Sequence, residues 1–175
     1  MIFLLGRLVV YYEHSNGGIK VYIDYLYNHT EHINTVANWI YSEFVVKANG
    51  TLSLDKVLEY LANTKLTSFP ITLIAVIDDE CAGTVSIFEN DLKTQRDLTP
   101  WLASLYVNPH YRGKGIAKEL INKAQQVVKE LGFKELYLRT EHTSEYYRRL
   151  GWEFVYKTHD EKGQETEVFK IFINN

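Results

Sequence analysis

The sequence predicts a mixed α/β fold, with strands and helices alternating around one sheet, and three stretches predict it. Ile71 to Ile77 is a continuous apolar run, as in a strand covered on both faces, and a turn at Asp78-Asp79-Glu80 leads it into a partner strand, Cys81 to Glu89. Leu105-Tyr106-Val107 reads as a strand that stops at Pro109, which has no N–H for the ladder. An amphipathic run follows, with Ile116, Leu120, Ile121, Ala124, Val127, Val128 and Leu131 on one face. Near the end, Trp152 to Thr158 and Thr166 to Ile173 flank a turn at Asp160-Glu161-Lys162-Gly163 and form a closing hairpin.

The remaining elements follow in chain order. Residues 1 to 13 pair with Ile19 to Tyr27 as a hairpin through Ser15-Asn16-Gly17-Gly18. Residues 1–18 are either an N-terminal extension strand and turn or an overextended start. Thr30 caps a helix with Glu31 in its first turn, and Ile33, Val36, Ala37, Ile40 and Phe44 form its apolar side. After Asn49-Gly50, Ser53 caps a second helix carrying Leu54, Val57, Leu58 and Leu61. Pro70 opens the first long strand, and a polar loop from Asn90 to Pro100 precedes Trp101. Gly132 ends the long helix, Phe133 to Thr140 is a further strand, and a short helix from Thr143 or Ser144 stops at Gly151.

Composition bounds the function. A chain of 175 residues with 46% hydrophobic and 14% aromatic residues is expected to fold as a single domain with an ample core. The formal charge of −3 and the lack of a long basic run disfavour nucleic acid and suit a cationic amine. The one cysteine, Cys81, excludes an internal disulfide and fits a reducing cytoplasm. The apolar stretch Met1 to Tyr12 is too short to span a bilayer, so no membrane role is expected.

The break after Val107 suits an anion. The first N–H groups of a helix lack partners and carry the positive end of its dipole. Gly113 and Gly115 permit close approach, and Arg112 adds a charged fork for phosphate. A Walker loop needs Ser or Thr after Gly113-Lys114, where Gly115 stands, and a dinucleotide fingerprint needs Gly or Ala where Lys118 stands. What fits is Arg-x-x-Gly-x-Ala, Arg112 to Ala117, which resembles the pyrophosphate loop of the GNAT N-acetyltransferase superfamily. The strand Leu105-Tyr106-Val107 sits where that family binds the pantetheine arm of acetyl-CoA. Tyr146-Tyr147-Arg148-Arg149-Leu150-Gly151-Trp152 resembles its Tyr-x-x-Leu-Gly-aromatic motif.

The resemblance implies a GNAT fold: a mixed, mostly antiparallel central sheet flanked by helices, with a splayed strand pair that admits acetyl-CoA. It implies that Arg112, Gly113, Lys114, Gly115, Ile116 and Ala117 hold the pyrophosphate, largely through main-chain N–H groups. It implies that the Val107 N–H faces the developing oxyanion, and that Tyr147 donates a proton to the leaving thiolate, as a phenol with a pKa of about 10 can. Several family members that act on proteins place Glu in the strand occupied here by Leu136 to Thr140, where this chain has Arg139. Glu141 and Glu89 are therefore the candidate general bases, with His142 and Asp91 beside them, and a water chain with no single essential base is a further option.

Other constellations carry less. His29-Thr30-Glu31-His32 is not His-Glu-x-x-His, and both histidines read as surface residues at a helix entry, so no metal is expected. Cys81 beside a turn reads as structural, Tyr146 as core packing, and Trp39, Tyr41, Trp101 and Tyr106 as packing that can border an acceptor pocket. The expectation is acetyl transfer from acetyl-CoA directly to a primary amine of a small molecule or a peptide N-terminus, by a monomer or a homodimer. The alternative is a non-catalytic GNAT module that binds CoA as a sensor or scaffold.

Overall fold

A computed structural model describes residues 8–11 and 20–173. The expected turn at Ser15 to Gly18 lies outside the described residues, but the two strands it would join are present. Strand β1 (Leu8–Tyr11) pairs antiparallel with β2 (Lys20–Tyr25). The described strands form one eight-stranded sheet in the order β1-β2-β3-β4-β5-β6-β8-β7. The others are β3 (Ile71–Ile77), β4 (Glu80–Phe88), β5 (Trp101–Val107), β6 (Glu135–Thr140), β7 (Glu153–His159) and β8 (Glu165–Phe172). Every pairing is antiparallel except β5 with β6.

Side-chain alternation divides the core between the two faces of the sheet. On one face, Ile71, Leu73, Ala75 and Ile77 of β3 pack with Ile116, Leu120, Ile121, Ala124, Val127 and Val128 of α3 (Ile116–Glu130). Tyr147, from the short helix α4 (Ser144–Arg149), joins that cluster with Trp152. On the other face, Ile74 and Val76 pack under Val36 and Ala37 of α1 (Ile33–Ile40) and Val57 and Leu61 of α2 (Leu54–Ala62). A smaller cluster of Leu92, Trp101, Tyr137 and Val168 closes the sheet under the loop after β4. Among the described residues, no helix is long and apolar enough to cross a membrane.

Local chemistry explains most boundaries. The Ser53 side chain accepts from the Lys56 N–H and caps α2, as expected. Thr30 does not cap α1. It lies in a 3-10 turn, Thr30–His32, and α1 begins at Ile33 without a side-chain cap. The entry is held instead by His29, only 7% exposed, between Asp24 and Glu31, so His29 is not the surface residue the sequence suggested. Helix α1 then widens into a π-type turn at Tyr41–Val46, closed by Lys47 N–H to the Ser42 carbonyl.

The end of α4 shows what the Leu-Gly-aromatic motif does. Gly151 sits at φ +85°, its N–H donates to the Arg148 carbonyl, and the Trp152 N–H reaches back to the Tyr147 carbonyl. This closing pattern swings the chain under its own helix. The Trp152 ring then meets the Tyr147 ring edge-on at 5.9 Å. Only glycine takes this conformation without steric cost. Gly151→Ala is expected to destabilise by about 1–2 kcal/mol and lower Tm by about 2–8 °C, as calorimetry would show; an unchanged Tm would mean that the turn does not hold Trp152.

Candidate active site

The sheet divides between β5 and β6. They share one registered pair, Trp101 with Tyr137, supported by the Tyr137 N–H to the Pro100 carbonyl at 3.0 Å. Beyond it, β5 stays with β4 as far as Gly83 opposite Val107, while β6 stays with β8 as far as Thr140 opposite Glu167. The divergence has a local cause. Between the pairs Ser86–Ala103 and Thr84–Tyr106, β5 carries one residue more than β4, and Ser104 takes φ +53°. Such a bulge bends its strand. The result is a gap lined by main chain at the ends of β5 and β6.

The Asn108 N–H donates to the Ala82 carbonyl on β4. Strand alternation therefore aims the Val107 N–H and C=O away from β4, toward the gap. The Val107 carbonyl accepts from Arg112 Nε at 2.9 Å, which ties the loop back to its strand. Leu105 and Val107 pack toward α3, whereas the Tyr106 ring stands on the other face. There it lies 5.2 Å from Trp39 and 5.7 Å from the Arg112 guanidinium.

The loop at the foot of the gap is an array of donors. The Asn108 side chain accepts from the His110 N–H and starts the turn Pro109–Tyr111. Gly113 and Gly115 have φ of +75° and +77°, and Gly115 is the residue from which α3 starts. Among the described residues, no N–H from Gly113 to Lys118 donates to a protein acceptor. A row of unpartnered N–H groups with positive-φ glycines is an anion nest on a helix N-terminus. The Ile116 side chain is buried in the core, so its main chain alone is available, while Lys114 lies over the Tyr111 ring at 5.5 Å. A residue other than glycine at 113 would be strained whatever the space around it.

Tyr147 is 9% exposed in the core facing α3. Burial, and next the neighbouring Tyr146, push its phenol well above the usual range, so it holds its proton at neutral pH. Its hydroxyl has no hydrogen-bond partner among the described residues. Tyr146 does not pack in the core. It is 39% exposed, and with Thr140, Glu141, His142, Ser144 and Glu167 it lines a pocket of about 390 Å³ at the start of α4.

The candidate carboxylates sit where β6 ends. Arg139, two residues past Tyr137, donates from Nε to Asp91 Oδ2 at 3.0 Å, and its Nη1 lies 3.5 Å from Glu141 and 3.7 Å from Asp160. Burial pushes the Asp91 carboxyl up to about 6; Arg139 counters this, while Glu141 and Glu161 add to it. Glu141 and Glu89 are exposed, and Glu89 forms no ion pair among the described residues. Asp160 was not singled out from sequence, because nothing in a turn residue's own neighbourhood signals a partner 21 positions earlier. Trp101 is fully buried, with its indole N–H on the Leu98 carbonyl, and serves packing.

The sequence model described as "Acetyltransferase (GNAT) family" matches residues 33–152, and the chain belongs to that family. No functionally curated protein matches it in sequence. An aminoglycoside 6'-N-acetyltransferase complexed with coenzyme A has 18% identity and a TM-score of 0.68, covering 87% of this chain and 97% of its own. An aminoglycoside 6'-acetyltransferase type Ii has 20% identity and a TM-score of 0.67 over the same shares. A Salmonella typhimurium protein solved with its cofactor acetyl-CoA has 14% identity and a TM-score of 0.66, covering 89% of this chain and 95% of its own. These likenesses establish the GNAT fold: a mixed, mostly antiparallel sheet with helices on both faces.

The acidic cluster has a measurable signature. Arg139→Met is expected to move the Asp91 carboxyl titration, followed by NMR, above its midpoint of about 6. An unmoved midpoint would mean that Arg139 and Asp91 are not coupled in solution.

Proposed function

We propose that this chain is a single-domain N-acetyltransferase that moves the acetyl group of acetyl-CoA directly to a primary amine. The observation that carries the reading is the row of N–H groups from Gly113 to Lys118 without protein acceptors, at the foot of the gap between β5 and β6. A pyrophosphate matches those donors and Arg112, and the pantetheine arm matches the main chain of Leu105 to Val107 on the open side of β5. The residues present therefore fit acetyl-CoA, which supplies the thioester when bound.

In this reading the amine attacks the thioester carbon, a C–N bond forms and the C–S bond breaks. The Val107 N–H faces the oxyanion. Tyr147, which holds its proton at neutral pH, gives that proton to the leaving thiolate. The proton lost by the amine passes to the acidic cluster. Asp91, pushed up to about 6, is better matched to that task than an ordinary carboxylate, with Glu141 and Glu89 beside it as the other candidates. The same acids favour a cationic acceptor, in keeping with two structural neighbours that are aminoglycoside acetyltransferases. A small cationic amine is thus favoured over a peptide N-terminus. A reducing, cytoplasmic setting accords with Cys81, whose buried thiol is pushed up to about 12 and is unreactive.

One observation favours a second reading, a CoA-binding module without turnover: Arg139, paired with Asp91, stands in the strand where the family resemblance would place a glutamate. Release of free thiol from acetyl-CoA with a panel of amines separates the two. Gly115→Val is expected to abolish acetyl-CoA binding in calorimetry, and unchanged affinity would remove the loop assignment. Tyr147→Phe is expected to lower kcat by about 100-fold or more with acetyl-CoA affinity retained; an unaltered kcat with several amines would end its role as acid.

A further inference from the structure

We propose that His29, Glu31 and His32 form a site for one divalent transition-metal ion, with zinc the best match to two imidazoles and a carboxylate. The site lies between β2 and α1 and is independent of the acetyl-transfer reading. Three observations carry it.

The first is convergence. One ligand atom from each of the three residues lies within 4.8 Å of the other two. Zinc bonds of about 2.0–2.2 Å in a tetrahedron place ligand atoms about 3.3–3.6 Å apart. His29 Nδ1 and Glu31 Oε1 already stand 3.2 Å apart. The His32 ring, half-buried and roughly stacked on His29 at 6.0 Å, has only to swing inward.

The second is the setting of His29. Its Nε2 meets Asp24 Oδ2 at 3.0 Å, and both residues are buried. Asp24 is fixed in turn by the Tyr25 N–H at 2.7 Å and the Asn28 amide at 3.0 Å. A buried carboxylate that receives the far N–H of a histidine is the outer partner that orients metal-binding imidazoles. The third follows from the tautomer. When Nε2–H donates to Asp24 in a neutral imidazole, Nδ1 and the Glu31 carboxylate are two acceptors 3.2 Å apart, and a cation, either a metal ion or a proton, belongs between them.

The rival occupant is a proton. A doubly hydrogen-bonded imidazolium would staple the same turn, but it gives no role to His32. Untagged, chelator-treated protein titrated with zinc chloride in a calorimeter distinguishes them, with cobalt(II) absorption reporting coordination geometry. The expected result is one ion per chain, a Tm that rises with free zinc, and affinity reduced at least tenfold by His32→Ala and by Glu31→Gln. Both substitutions fall on side chains outside the core, so folding is retained and circular dichroism checks it. Asp24→Asn is expected to weaken binding 10–100-fold with all three ligands in place. Absence of saturable binding, or zinc affinity unmoved by His32→Ala and Glu31→Gln, would overturn the site in favour of the proton.

Discussion

The parallel pairing of Trp101 with Tyr137 is the contact on which the rest of this molecule depends. It keeps eight strands in one sheet, and it is the last contact before the sheet divides. Two strands with free main-chain groups in the middle of a sheet are costly unless something takes those groups up. The fold places a loop of N–H groups without protein acceptors at the foot of the opening. The anchor is strong because Trp101 and Tyr137 lie in their own cluster with Leu92 and Val168, and the tryptophan is fully enclosed. Weakening that cluster would loosen the apex of the gap while leaving both larger cores intact.

The two faces of the sheet do different work. The face under α3 is apolar and holds Tyr147 dry, which keeps its proton in place. The opposite face ends in acids gathered round one guanidinium, with Asp91 sharing Arg139 with Glu141 and Asp160. The Tyr147 phenol and the Asp91 carboxyl are thus both pushed up by burial, the first among rings and the second beside a guanidinium that partly offsets it.

What could be read from the sequence was what neighbouring residues decide. Pro109, Gly113 and Gly115 mark the strand end and the donor loop within a few positions, and Ser53 marks a helix start by its own side chain. The features that escaped are tertiary. Asp91 and Arg139 are 48 positions apart and meet only because the sheet folds. Ser104 adopts a conformation that serine rarely takes, so nothing local announced the bulge that opens the gap. His29 reads as a polar residue in a polar stretch, and its burial comes from Asp24, the strand residue that fixes it. Thr30 carried a sound capping signal, and that buried pair displaced it.

The Tyr106 ring is shared between Trp39 of α1 and Arg112 of the donor loop. One aromatic plane thus joins helix α1 to the donor loop. On the proposed reading, a phosphate that draws Arg112 off that plane changes what Trp39 packs against, and by reciprocity an acceptor pressing on Trp39 changes the grip of the loop by the same amount. In that reading the two half-sites are one thermodynamic object, coupled through a single ring.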